Sequence, residues 1–238
     1  MKDFFVEKLE STIVHLCRVI SQSHRNANWL TMPEQDLLLE LVTAILGSQV
    51  PFEMAVNAAY KVYENGLLSK EVIINQGSSI LAGKIEYVLK QPLYDSRWKN
   101  TGRRYRFPTL RAHQIAKTME NIYSRHGSLK CILNNCALAS KARGQLVRTA
   151  LGIGPKQASL FLRNIGYTDD LAILDVHVLR YMAMRGMTNL KSPPSSLNAY
   201  EKTENCLLEH SLGLGFTIGC LDQAIWVTMR VAQQEAWT

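Results

Sequence analysis

Gly152-Ile153-Gly154-Pro155 separates two amphipathic stretches, and no other feature of the chain restricts its fold as much. Glycine reaches backbone angles that other residues resist, so a Gly-x-Gly turn can reverse the chain tightly. Pro155 suits the first turn of a following helix, because its φ is already helical and its missing N–H would have had no intrahelical partner. The spacing predicts a hairpin between two helices over about residues 141–166. The free amides at the start of the second helix face outward and attract phosphate.

The flanking sequence repeats a helical period. Leu37, Leu38, Leu41, Val42, Ile45 and Leu46 form one stripe, and the same spacing returns at Ala55, Ala58, Ala59 and Val62. It appears again at Ile80, Leu81, Ile85, Val88 and Leu89, and at Ile115, Met119, Ile122 and Tyr123. Breakers punctuate the series at Pro51, Asn65-Gly66, Gln76-Gly77, Pro92, Pro108, Gly127, Gly166 and Pro193-Pro194. Only Leu171-Ala172-Ile173-Leu174 is strand-like, and four apolar residues do not separate a strand from a buried loop. The expectation is an all-α fold of two packed helical lobes forming one unit over residues 1–238, with a cleft between the lobes. Phe4, Phe5, Leu9, Ile13 and Leu16 have helical spacing and are expected to extend the core.

A formal net charge of +7 makes a polyanion the default partner, since Lys and Arg gain affinity by releasing counterions from phosphates. Arg97, Lys99, Arg103, Arg104, Arg106 and Arg111 concentrate that charge in a run that usually forms a solvated face. The five cysteines are scattered, odd in number and without C-x-x-C spacing, so they read as free thiols rather than zinc ligands. The N-terminal residues lack a signal-peptide apolar run, and no stretch has the length and hydropathy of a membrane span. These features favour a soluble, cytoplasmic protein with no membrane partner.

Lys156 directly follows the glycine turn and carries two readings. It is one more phosphate contact in a non-catalytic hairpin, or it is a nucleophile whose pKa is lowered by burial and by the positive end of a helix. Asp175 follows the apolar run 171–174 and opens a helix with Val178, Leu179 and Met182 inward. Its structural role is an N-cap contributing about 1 kcal/mol. An ionised carboxylate there can also stabilise positive charge developing on a substrate. His177 is a second candidate, against the plainer reading of a packed or backbone-bonded histidine.

Hairpin, lysine and aspartate in this order resemble the helix-hairpin-helix DNA glycosylase superfamily. Gly152 to Tyr167, followed by Asp170 to Asp175, is closest to its archaeal-type 8-oxoguanine DNA glycosylase/AP lyase branch. Leu41 to Val50 resembles the superfamily helix ending in a polar plug, which implies that Gln49 fills the space left by a flipped base. Tyr105-Arg106-Phe107 with Arg111-Ala112 resembles the branch's Arg-Phe segment, and Leu221 to Trp226 its closing Leu-Asp helix with a tryptophan. The resemblance implies a base pocket of Phe107, Trp226 and Asp222, with DNA binding by Gln49, Gly152, Gly154, Arg106 and His177. It also implies catalysis by Lys156 and Asp175, and Arg103 and Arg104 near the DNA backbone.

The implied activity is excision of a modified base, 8-oxoguanine foremost, through a Lys156 Schiff base and then strand nicking by β-elimination. The implied partner is double-stranded DNA carrying that base, bound by a monomer. No metal or other cofactor is required, although a monovalent cation on the hairpin's backbone carbonyls is a further expectation, and no iron-sulfur cysteine cluster is present. Two departures bear on the substrate. Leu160 stands where the branch usually has a polar residue, often His, and the chain ends in Ala236-Trp237-Thr238 rather than a basic terminus. Two alternatives stay open: a glycosylase for an oxidised or hypermodified pyrimidine, including one in foreign DNA, and a non-catalytic DNA-binding protein.

Overall fold

The computed structural model describes residues 2–22, 27–98 and 101–235, with side chains for 6–22, 27–98 and 101–232. The side chains of Phe4 and Phe5, Lys99, and Ala236-Trp237-Thr238 lie outside the described residues. Among those described there are eleven α-helices, one short 3-10 helix at Ser96–Trp98 and no strand. None of these helices is by itself long and apolar enough to cross a membrane. The helices form two compact units, one of residues 28–153 and the other of residues 1–27 with 154–238. The chain passes between units at the Ile153–Gly154 bond, inside the hairpin turn.

The 28–153 unit holds α2 (Glu34–Leu46), α3 (Phe52–Glu64), α4 (Lys70–Lys90), α5 (Pro108–Arg125), α6 (Leu129–Asn134) and α7 (Ala139–Thr149). The apolar stripe of α2 is buried, as are Ala55, Ala58, Ala59 and Val62 of α3, because a helix must lay its apolar face on a neighbour. Most breakers fall at element boundaries, and one falls inside a helix. Pro51 precedes α3, Pro108 opens α5, and Gly77 takes φ +74° and kinks α4. Beyond the kink, Leu81, Ile85 and Val88 form the buried stripe at spacings of four and three, and Ile80, a residue to one side of it, is 57% exposed. Glu34 of α2 receives the Leu129 and Lys130 amides at 2.6 and 3.2 Å, capping α6 from a distant part of the chain.

The second unit holds α1 (Lys2–Gln22), α8 (Pro155–Asn164), α9 (Val176–Met184), α10 (Leu197–Leu214) and α11 (Ile218–Glu235). Leu9, Ile13 and Cys17 of α1 enter its core beside Val178, Leu179, Met182, Leu207, Leu221 and Ile225, so the N-terminal helix does extend the core. Cys17 and Cys220, scattered in sequence, meet there: the Cys220 thiol donates to the Cys17 carbonyl at 3.3 Å, and both cysteines are free. Burial pushes the Cys17 thiol up to about 12, so it stays protonated.

Leu171–Leu174 resolves as a buried loop, not a strand. Its amides have no ladder, and side chains replace one. The Ala172 N–H donates to Glu204 Oε1 at 2.8 Å, the Ile173 N–H to Asp222 Oδ2, and the Leu174 N–H to the Tyr200 hydroxyl at 2.9 Å. The same hydroxyl donates to the Ala172 carbonyl at 2.9 Å. All three side chains are buried. Backbone polar groups away from water need such partners, so this segment is fixed without secondary structure.

Asp222 also pairs with Arg163 of α8, whose Nη1 further donates to the Gly219 carbonyl at 3.1 Å. Burial raises the Asp222 carboxyl to about 6 against the pull of Arg163 and the Ile173 amide, and the charge of Asp175 adds to the rise.

Two predictions follow from this unit. Tyr200→Phe strands the Leu174 amide and the Ala172 carbonyl and lowers unfolding free energy by about 2 kcal/mol in denaturant titration. Because the folded pKa of Asp222 lies above its unfolded value near 4, the group stabilises the fold most below about pH 4 and loses that contribution as pH rises through about 6. Unfolding free energy measured at pH 4 and pH 7 therefore contains a downward component that Asp222→Asn removes.

Candidate functional site

The hairpin forms from α7 and α8, at the place that its glycines dictate. Gly152 has φ +82°, and a Cβ there would collide with the Gln114 carboxamide and lie 3.0 Å from Arg111 Nη1. Both conformation and space therefore require glycine. The approach to the turn is fastened to α5. Asn121 Nδ2 donates to the Thr149 carbonyl at 3.0 Å, and the Leu151 amide donates to Thr118 Oγ1 at 2.9 Å. Arg111, Gln114, Thr118 and Asn121 thus make a polar stripe down a helix whose neighbouring residues are core. Sequence reading followed the apolar residues of α5 and missed this stripe, although its spacing of three, four and three residues was the available signal.

Beyond the turn, Gly154 is the N-cap of α8, Pro155 is N1 and Lys156 is N2. Lys156 is half-buried and has no hydrogen bond or ion pair with any described residue. Leu160, four residues on, lies on the same face of α8 and is also half-buried. Ala158, Phe161 and Leu162 point into the core, so the helix has one packed face and one carrying the amine.

Asp175 caps α9 as the sequence indicates. Its Oδ1 accepts from the His177 and Val178 amides, both at 2.9 Å. The preceding bond, Asp175 N–H to the Ile173 carbonyl at 2.8 Å, ties the cap to the side-chain-anchored loop. Oδ2 takes no part in the cap. His177 is half-buried, and its Nδ1 is buried without a hydrogen-bond partner among the described residues, as for a packed histidine.

The other expected residues divide. Gln49 follows α2, is exposed, and has φ +64°, the only positive φ among described non-glycine residues. A side chain in that region carries local strain that its surroundings must maintain. Phe107 is half-buried, with the Arg106 guanidinium 4.9 Å from its ring centroid. Trp226 is 39% exposed, with Arg230 placed likewise at 5.0 Å. Each aromatic ring therefore has an arginine on one face. Asp222 faces Arg163 and the Ile173 amide at 1% exposure, which makes it an internal anchor rather than a group open to a ligand.

The basic run is not one solvated face. Arg103, Arg104 and Arg106 are exposed. Arg97 is tied to Asp95 at 2.5 Å and lies 3.6 Å from Glu53, whereas Arg111 is buried. Sequence reading also missed α10 and with it Tyr200 and Glu204. The two are buried four residues apart on one face of that helix, and nothing local in the sequence marks them for burial.

No group of three or more His, Cys, Asp or Glu side chains that could hold a metal occurs among the described residues.

The 8-oxoguanine DNA glycosylase family model Ogg-HhH matches residues 96–215, which contain both the hairpin and Asp175. An 8-oxoguanine DNA glycosylase/AP lyase of Sulfurisphaera tokodaii is 38% identical over 124 residues, 51% of this chain and 57% of that protein. The chain thus spans a little over half the length of this curated relative. The crystal structure of the 8-oxoguanine DNA glycosylase of Thermotoga maritima superposes with a TM-score of 0.67 at 25% identity, covering 95% of this chain and 96% of the other. The 8-oxoguanine glycosylase/lyase of Methanocaldococcus jannaschii, in complex with a 15mer DNA containing 8-oxoguanine, gives a TM-score of 0.61 at 23% identity over 92% and 88%. A helical fold shared along nearly the whole chain, and a family match over half of it, converge on one assignment: the protein belongs to the Ogg-HhH family of 8-oxoguanine DNA glycosylases.

Proposed function

We propose that the protein is a bifunctional DNA glycosylase/AP lyase that removes 8-oxoguanine from duplex DNA and then nicks the strand. The observation that carries this reading is the Lys156 amine on the first turn of α8, without a hydrogen bond or ion pair to any described residue and in the same compact unit as a carboxylate that caps α9. The relatives' names and the DNA-bound structure of a family member support the substrate.

In the proposed reaction DNA phosphates meet the hairpin amides and the exposed arginines, and the modified base leaves the stack. Gln49 enters the vacated space. Phe107 and Trp226 each offer ring surface for stacking. The neutral Lys156 Nζ attacks C1′, the glycosidic bond breaks, and its electron pair leaves with the base, which takes up a proton. Asp175 stabilises the positive charge on the sugar and assists proton movement. The nitrogen gives up the proton made acidic by the attack, its lone pair forms the C=N bond as the C1′–O4′ bond breaks, and O4′ takes up a proton, which leaves the opened sugar as a protonated Schiff base. Removal of the C2′ proton then expels the 3′ phosphate, and water releases the enzyme. A cation on the turn carbonyls of Ala150 to Gly154 would supply a positive charge for a phosphate, and no bond-making step needs it. The protein is proposed to act as a monomer in the cytoplasm.

A second substrate reading has one observation in its favour. Leu160 shares the face of Lys156 and gives an apolar wall where the branch usually has a polar residue, which suits a different modified base.

The test is a panel of duplexes, each carrying one modified base, assayed for excision, nicking and adduct formation under borohydride. The expected result is excision of 8-oxoguanine with a trapped adduct. Lys156→Gln should lose both by about a thousandfold or more while keeping duplex binding. Excision confined to an oxidised pyrimidine would establish the second substrate reading. A wild type that binds every duplex and cleaves none, or a Lys156→Gln enzyme that still cleaves, would overturn the catalytic assignment.

A further inference from the structure

Arg111 lies in the first turn of α5 and is only 6% exposed. A guanidinium so placed ordinarily has a carboxylate beside it, since an unpaired buried charge is strongly destabilising. No described carboxylate pairs with Arg111. Its Nη2 donates to the Ser48 carbonyl at 3.3 Å and its Nη1 to Gln114 Oε1 at 2.7 Å, while Nε has no partner. Two neutral acceptors thus receive a full positive charge.

The first acceptor is the peptide oxygen joining Ser48 to Gln49, the residue held at φ +64°. Fixing that peptide plane restricts the rotation that defines the strained φ. A second donor acts two residues earlier, where buried Tyr105 gives its hydroxyl proton to the Leu46 carbonyl at 2.7 Å. Burial raises that hydroxyl to about 12, so it remains a donor at neutral pH. Leu46 ends α2, and its carbonyl would otherwise lack a helix partner. The other end of Arg111 abuts the hairpin. With the Gln114 carboxamide it occupies the space that a Cβ at Gly152 would take. One guanidinium therefore touches both the peptide that sets Gln49 and the turn proposed to grip phosphate.

We infer that Arg111 is a positioning residue: it holds the Gln49 turn in its left-handed conformation, braces that turn against Gly152, and leaves its excess positive charge to be balanced by DNA phosphate. The inference rests on the base-displacing role proposed above for Gln49. It predicts that the plug is set before DNA arrives and that binding at the hairpin stabilises the element which holds it.

The test uses a duplex carrying a tetrahydrofuran abasic analogue opposite 2-aminopurine. The analogue has no base to excise, so the readout is independent of Lys156 chemistry. Wild-type protein should raise 2-aminopurine fluorescence as Gln49 enters the gap and disturbs its neighbour. Arg111→Gln should lose about tenfold of its preference for this duplex over an undamaged one, together with most of the fluorescence change, at protein concentrations where circular dichroism shows it folded. Arg111→Lys keeps the charge but only one arm, and should recover part of the binding and little of the fluorescence change. In a Gln49→Ala background, Arg111→Gln should have almost no further effect on the preference.

Arg111 and Gln49 effects that multiply independently, or an Arg111→Lys protein equal to wild type in fluorescence, would overturn the assignment while leaving the proposed glycosylase intact. Should Arg111→Gln fail to fold, the Arg111→Lys comparison and the Gln49 cycle built on it still decide the matter. A wild type that leaves the fluorescence unchanged would overturn the plug itself and this inference with it, whether or not the enzyme excises 8-oxoguanine.

Discussion

Three consecutive backbone amides, those of Ala172, Ile173 and Leu174, have neither helix nor sheet to bond within, and each is taken by a different buried side chain. Everything that places Asp175 depends on this arrangement. Glu204 and Tyr200 reach the segment from α10 and Asp222 from α11, so two helices distant in sequence determine where the next helix begins. Asp222 has a second partner in Arg163 of α8, the helix that bears Lys156 at its other end. The lysine and aspartate are therefore supported through one internal network, and neither relies on the flexibility of a surface loop. Such a network is stable only when its members are satisfied, because a buried polar group without a partner is expensive in a low dielectric.

The other unit applies the same physics to the opposite end of the hairpin. Its α5 carries polar side chains along one stripe, and they bind the backbone of the turn and of the segment after α2. Strain at Gln49 and crowding at Gly152 are two places in this unit where the backbone departs from what an ordinary residue tolerates, and Arg111 lies between them. A fold that maintains strain at one exposed residue needs fixed groups around it, and here those groups also hold the turn.

Much of this was legible in the sequence, for reasons that differ by residue. The hairpin could be read because Gly152 and Pro155 suit the turn and the helix start that follows, although Gly154 has an ordinary extended backbone with room for a side chain, and the Asp175 cap because short acceptors favour helix starts. The apolar stripes of α2 and α3 were clear from period alone. Tyr200 and Glu204 were not, because nothing local marks a polar residue that will be buried against a distant backbone, and Arg111 showed only as one member of a polar stripe at helical spacing on α5. Asp222 shows a related limit. Its resemblance to a family position suggested a pocket, whereas its carboxylate is directed at Arg163 and Ile173. Ile80 was misplaced because an apolar residue at the edge of a helical stripe reads like its neighbours, whereas the buried face runs through Leu81, Ile85 and Val88.

The central claim is that the Lys156 amine is the nucleophile. Its most direct test is to reduce the enzyme with borohydride during turnover of an 8-oxoguanine duplex, digest the adduct, and locate the sugar-modified lysine by mass spectrometry. The account predicts a single modified peptide with the modification at Lys156. Modification of any other amine, or excision with no covalent adduct, would contradict it.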